Sequence, residues 1–210
     1  MNIGLIGYGE LGKQICNLIQ LANQVSETHI FDDILHNNGD KNVLPFSSYI
    51  NEEYKDLDFY VCLGYKHLIK KSEIISSLNE KNRSIPSFIH PSCHIDPSSE
   101  IGDGTIVYPM CNIDKEVIIG KGTLLNNSVT ISHNCSIGDF CFLAPGVVIS
   151  GFAQVNHETF LGSSSVVSNN IKIGQRVCVG IGSVVTSDIN DGSSVIGNPM
   201  HILNKPLELI

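Results

Sequence analysis

From Ile89 to Val185 every sixth residue is Ile, Leu or Val, without a slip. Four places after each stands a second, mostly small residue: Cys93, Ser99, Thr105, Cys111, Val117, Thr123 and so on to Ser183. A period of six suits neither an α-helix nor a simple alternating strand. It suits a coil of three short strands joined by tight turns. With three hexads to a coil, the pattern predicts about five stacked coils, a left-handed parallel β-helix of triangular section over residues 89–185. The large aliphatic side chains point inward and the small ones fill the space that is left. Cys93, Cys111, Cys135 and Cys141 are then core residues, and Cys93 beside Cys111 is a stacked pair of thiols rather than a disulfide. Gly102, Gly120, Gly138, Gly162, Gly174 and Gly180 each follow an aliphatic position, with Asn156 in an equivalent place. They are expected to supply the positive φ that sharp corners demand.

Residues 1 to about 85 have another rhythm. Asn2 to Ile6 reads as a strand, Gly7 to Gly12 as a turn, and Leu11 to Ala22 as a helix. A second strand ends at Ile30-Phe31-Asp32-Asp33, a third is Asp58 to Leu63 closed by Gly64, and Leu68 to Leu78 reads as a helix. This βαβαβ order predicts a small parallel sheet covered by helices. Pro86 and Pro91 bracket the crossover, so the expected domains are 1–85, Rossmann-like α/β, and 86–210, the β-helix.

Composition narrows the function classes. A net charge of −8 without a basic run argues against nucleic acid, so an anionic ligand would be held by backbone N–H groups and a few cations. The seven cysteines have neither framework spacing nor a CxxC pair and should be reduced thiols. The apolar stretch at the N-terminus is interrupted by Gly and Glu, which fits neither a membrane span nor a cleaved signal. A cytoplasmic protein is the expectation. The eight histidines do not complete a metal set: His133 and His157 fall on different corners, and His90 and His94 lie at the first coil.

Gly7-Tyr8-Gly9-Glu10-Leu11-Gly12 after a strand, with Asp32 about twenty residues on, is the dinucleotide fingerprint, in which glycines let a pyrophosphate approach a helix N-terminus. Alone it suggests NAD. There is room for only one mononucleotide-binding half, however, and nothing downstream resembles a hydride-transfer domain. A nucleotide joined through pyrophosphate to a sugar would use the same turn, with Asp32 and Asp33 accepting hydrogen bonds from its base or ribose. Lys70 and Lys71, on the helix after Gly64, are read as an exposed helix face that could approach a phosphate.

The short α/β domain, the linker Phe88-Ile89-His90-Pro91-Ser92, the segment Asn126 with Ser132-His133-Asn134-Cys135, and the closing Ile196-Gly197-Asn198-Pro199 together resemble one family. It is the sialic acid O-acetyltransferase and UDP-4-amino-sugar N-acetyltransferase family of hexapeptide-repeat enzymes, of the bacillosamine- and perosamine-pathway type. The resemblance covers essentially the whole chain. It implies acetyl-CoA as co-substrate, a homotrimer with the site between neighbouring subunits, and a role in surface-glycan or glycoprotein precursor synthesis. It also implies that His133 is the general base, oriented by Asn134, a role suited to an imidazole with a pKa near operating pH. Gly9, Glu10, Leu11, Asp32, Asp33, Gly64 and Asn126 would surround the nucleotide sugar, and Phe142, Ser163 and Ile181 would line the coenzyme A groove. Three residues depart from the family pattern. Asn134 stands where an acid is usual, and it cannot raise the imidazole's basicity through charge. Phe142 and Leu11 stand where histidines are common.

The function expected is transfer of acetyl from acetyl-CoA to the 4-amino group of a nucleotide-linked 4-amino-4,6-dideoxy sugar. O-acetylation of a sugar of the sialic acid type is the alternative enzyme activity. A non-catalytic, nucleotide-sugar-binding trimeric scaffold is the alternative of another class.

Overall fold

The pattern of six becomes three parallel sheets, because each inward aliphatic residue is stacked on its counterpart one coil away. In the chain's computed structural model, which describes residues 1–205, Ile119 pairs with Ile101 and Ile137, and Ile131 with Ile113 and Ile149. One face runs from Glu100–Ile101 to Lys172–Ile173 and another from His94–Ile95 to Val184–Val185. The third passes through Leu124–Leu125, Phe142–Leu143 and Phe160–Leu161 to Ser194–Ile196, where His201–Ile202 adds an antiparallel edge. The solenoid has about six turns, one more than the period alone suggested. Its last turn tightens: Cys178 pairs with Ser194 and Ile173 bridges Ile189, each two residues short of the regular step.

The inward columns are dry. Val107, Ile113, Leu125, Ile131, Leu143, Ile149 and Leu161 are fully buried, as are the smaller Thr105, Thr123, Val129, Val147 and Ala153. At the first coil, where stacking begins, Ile89 remains 41% exposed. The small positions do more than fill space. Thr105, Thr123 and Thr159 donate from Oγ1 to the carbonyls of Gly120, Gly138 and Gly174 at 2.8–2.9 Å. Cys93, Cys111, Cys135 and Cys141 donate from Sγ to Tyr108, Asn126, Ser150 and Asn156 at 3.1 Å. A residue that is small and carries a donor satisfies a corner carbonyl that the ladder leaves over. All seven cysteines are free thiols.

The corner glycines act differently from expectation. From the third turn of the solenoid onward, positive φ falls on the second residue of the two-residue turns: Glu116, Asn134, Phe152 and Asn170 along one edge, Met110, Ser128, Gly146 and Ser164 along another. Gly102, Gly120, Gly138, Gly162, Gly174 and Gly180 have no such φ. What excludes a side chain from them is the next coil. A Cβ on Gly102 would lie 2.6 Å from the backbone nitrogen of Lys121, and one on Gly138 2.7 Å from that of His157. These glycines set coil spacing rather than corner conformation.

The boundary between the two compact units falls between Phe88 and Ile89. The first unit has a four-stranded parallel sheet of β1 (Asn2–Ile6), β2 (Glu27–Phe31), β3 (Val43–Leu44) and β4 (Asp58–Val61), in the order β3-β2-β1-β4. Helix α1 (Glu10–Ala22) follows β1, the short α2 (Asp33–Asn37) follows β2, and α3 (Leu68–Glu80) follows β4. The two-residue β3 is too short to carry a period and was not foreseen. Ile3, Leu5, Ile6, Ile15, Ile19, Phe31, Phe59 and Leu78 form the fully buried centre. Lys71 corrects the exposed-face reading of α3: it is 1% exposed. Its amine is pushed down to about 8 by burial, beside the thiol of Cys62. Among the described residues no helix is long and apolar enough to cross a membrane.

Candidate functional site

In the first unit the glycine turn forms one wall of a cleft of about 360 Å³, lined by Gly7, Gly9, Glu10, Leu11, Lys13, Asp32, Leu35, Gly64 and His67 among others. Its three glycines have separate jobs. Gly7 takes φ +87°, where glycine is favoured. A Cβ on Gly12 would lie 2.4 Å from the Gly7 carbonyl oxygen, so only glycine lets α1 pack this closely on the end of β1. Gly9 has open space where a side chain would stand, and no side chain caps α1 there. The first N–H groups of a thirteen-residue helix thus face the cleft without a capping partner, an arrangement suited to an anion.

The acids that follow β2 are already engaged. Asp32 Oδ2 accepts from the Tyr8 N–H at 2.8 Å and Oδ1 from the Leu35 N–H at 3.1 Å, tying the glycine turn to the start of α2. Asp33 Oδ1 accepts from the Phe46 N–H at 2.8 Å. Leu11 and Gly64 face each other, with a hypothetical Gly64 Cβ 3.6 Å from Leu11 Cδ2. Glu10 is exposed and pairs with Lys13 at 2.7 Å. His67, Phe46 and Lys70 complete an adjoining hollow with Asp33 and Leu63. Sequence reasoning missed His67 and Phe46. Their signal is position alone, on segments that follow the C-terminal ends of parallel strands, where ligands of α/β sheets bind.

In the second unit His133 and Asn134 form the two-residue turn between Thr130–Ile131 and Ser136–Ile137. His133 is half-buried. Its Nδ1 lies 3.0 Å from Asn134 Oδ1, and its ring meets Phe152 edge-on, centroids 5.1 Å apart. The Asn134 amide nitrogen donates in turn to the carboxylate of Glu116, the residue above it in the preceding coil. Gly151 lies against the ring: a Cβ there would stand 2.8 Å from His133 Cε1 and 3.0 Å from Nε2. An amide carbonyl at Nδ1 makes Nδ1 the donor and leaves the Nε2 lone pair free.

The other expected positions are spread over the prism. Ser163 and Ile181 stack on the edge that bounds the opposite side of the face next to His133, and Ile181 is 74% exposed. Phe142 is buried and packs on Phe160, centroids 5.9 Å apart. Asn126 is half-buried and accepts the Asn127 N–H on its own Oδ1 at 2.7 Å. His157 accepts the Asp139 N–H on Nδ1 at 2.9 Å, which makes it a corner cap on an edge other than that of His133.

Residues 116–151 match the family described as bacterial transferase hexapeptide, six repeats. The chain carries that repeat. No curated protein matches it in sequence. Among solved structures it is similar to the acetyltransferase domain of PglB from Neisseria gonorrhoeae in complex with acetyl coenzyme A, with 25% identity, TM-score 0.86, and 96% of this chain and 98% of that one covered. It is similar to PerB from Caulobacter crescentus in complex with CoA and GDP-perosamine, with 24% identity, TM-score 0.85, and 97% and 98% covered. It is also similar to WeeI from Acinetobacter baumannii, with 24% identity, TM-score 0.87, and 97% and 100% covered. These likenesses extend over both units, whereas the repeat match is confined to the second.

Proposed function

We propose that the chain is an acetyl-CoA-dependent N-acetyltransferase acting on the 4-amino group of a nucleotide-linked 4-amino-4,6-dideoxy sugar, for surface-glycan or glycoprotein precursors. The observation that carries the reading is His133, with Nε2 free and Nδ1 occupied, on the edge of a hexapeptide β-helix. The likeness of the whole chain to a domain bound to acetyl coenzyme A and to a protein bound to CoA and GDP-perosamine supports the substrate class.

On this reading the first unit is a Rossmann-like nucleotide-sugar domain and the second a left-handed β-helix acetyltransferase domain. The strand order β3-β2-β1-β4 and the uncapped start of α1 support the former. The pyrophosphate lies over Gly9 and the first turn of α1, within reach of Lys13 and His67. Ser163 and Ile181 border the coenzyme A groove. Phe142 shapes that groove from beneath, since its ring is buried against Phe160. The active form is a cytoplasmic homotrimer.

The amine attacks the thioester carbonyl directly. As its lone pair forms the C–N bond, one N–H proton passes to His133 Nε2, and a backbone N–H stabilises the oxyanion. The C–S bond then breaks and the imidazolium returns its proton to the departing thiolate, leaving amide, free thiol and neutral His133. Thiol release from acetyl-CoA mixed with UDP-, dTDP- and GDP-linked amino sugars tests this. His133→Ala is expected to lose roughly 10²–10⁴ in kcat. No turnover on any amine, or undiminished turnover in His133→Ala, overturns it. Faster turnover of an unlinked sugar hydroxyl would move the reading to O-acetylation.

A further inference from the structure

Asn134 by itself leaves the role of His133 undecided. A carboxylate beside Nδ1 can only accept, so it forces the proton onto Nδ1. A carboxamide can offer its carbonyl or, after half a turn of its plane, its NH2 group. In the second orientation Nδ1 accepts, the proton sits on Nε2, and the nitrogen that faces outward is no longer a base. The amide therefore has to be oriented by something else.

The structure supplies it one coil away. Glu116, Asn134, Phe152 and Asn170 stack as the second residues of successive turns on one edge, each with positive φ. The Glu116 carboxylate accepts from Asn134 Nδ2, while Asn134 Oδ1 faces His133 Nδ1 at 3.0 Å. Turning the amide over would exchange a charge-assisted hydrogen bond for two acceptors face to face. Gly151 and Phe152 hold the ring from the coil on the other side. We propose that Glu116 is a positioning residue: its carboxylate orients the Asn134 amide, and the amide fixes the proton of His133 on Nδ1 and keeps Nε2 basic. The acid absent beside His133 in sequence is thus replaced by one eighteen residues earlier that acts through an amide. The inference rests on the reading of His133 as the general base.

Two substitutions at the exposed Glu116 and one repair test it. Glu116→Lys offers donors only, so it turns the Asn134 carbonyl towards itself and the NH2 group towards Nδ1. It is expected to lower kcat about tenfold or more, within the roughly 10²–10⁴ that a general base contributes, with KM for the nucleotide sugar unchanged. Glu116→Ala removes the bias and should lose less. Adding Asn134→Asp to Glu116→Ala restores an acceptor-only neighbour and should recover most of the lost kcat. A loss caused by misfolding would not be repaired in this way. The direct readout is the ¹⁵N spectrum of histidine-labelled protein, in which His133 should be protonated on Nδ1 in the wild type and on Nε2 in Glu116→Lys. The same tautomer in both, or wild-type kcat in Glu116→Lys while His133→Ala is inactive, overturns the positioning role and leaves the base intact. If His133→Ala remains fully active, the base reading falls. The ¹⁵N comparison still decides whether Glu116 sets the tautomer.

Discussion

The two units use glycine in opposite ways. In Met1–Phe88 three glycines of one turn do three things, once each: Gly7 bends the chain through positive φ, Gly9 leaves room at a helix start, and Gly12 admits α1 to β1. In the β-helix, Gly102, Gly120, Gly138 and Gly162 do one thing repeatedly, which is to let the backbone of the next coil pass. The first unit therefore bares backbone at one turn of its cleft. The second offers every coil the same backbone, and chemistry enters where side chains break the uniformity, at His133, Asn134 and Gly151.

The sharpest way to break this comparison is to remove packing from the periodic unit. Leu143 is fully buried in the middle of the stack, and Leu143→Ala is expected to cost about 2–5 kcal/mol. Because each coil touches only its neighbours, hydrogen-exchange protection should fall in the adjoining coils and hold over residues 1–88. Loss of protection in both units together would show that they do not unfold separately. Next is the aperiodic glycine. Gly12→Ala places a methyl against the Gly7 carbonyl and should cost about 1–3 kcal/mol, with protection lost in the first unit alone. Gly9→Ala should stay within about 0.5 kcal/mol yet weaken nucleotide-sugar binding in calorimetry. Equal stability losses at the two positions would contradict the division of labour among the three glycines.

The last test concerns Lys71 and is read against pH. Its amine is pushed down to about 8 in the folded chain from an ordinary value of 10.5. The unfolded state thus binds more protons across that interval, and stability rises with pH from about 8. The buried Cys62 thiol, pushed up to about 12 from 9.0 by burial, acts in the opposite sense above pH 9. Stability of the first unit should rise from about pH 8, level off above pH 9 as the raised thiols of Cys62 and Cys16 oppose the lysine, and fall once unfolded Lys71 also loses its proton. Denaturant unfolding against pH measures this. In Lys71→Met the rise should vanish, and stability at pH 7 should increase because a buried amine no longer has to be desolvated. A Lys71→Met variant that keeps the rise would assign it to another group.

Legibility in sequence followed burial. The inward columns were readable because, past the first coil, each is buried in coil after coil, so Ile131 and Leu143 announce themselves by type. The strand-turn-helix at Gly7 to Gly12 was readable because its three positions are consecutive in the chain. Lys71 was misread because helical spacing shows which residues share a face but not which face the sheet covers. The φ of Gly102 and Gly138 was misread because close approach and positive φ both exclude a side chain, and a one-dimensional pattern cannot separate them. Asp32 was visible as an acid after β2, whereas its bond to the Tyr8 N–H needed the two strand ends side by side.

The sequence alone determined the solenoid and the α/β unit before it, since period and spacing are properties of the chain itself, and its resemblance to an acetyltransferase family is what singled out His133. The tertiary structure decided how His133 is held. Eighteen residues of separation become one hydrogen bond only after a full coil closes, and that closure brings Glu116 to Asn134 and Gly151 to the imidazole ring.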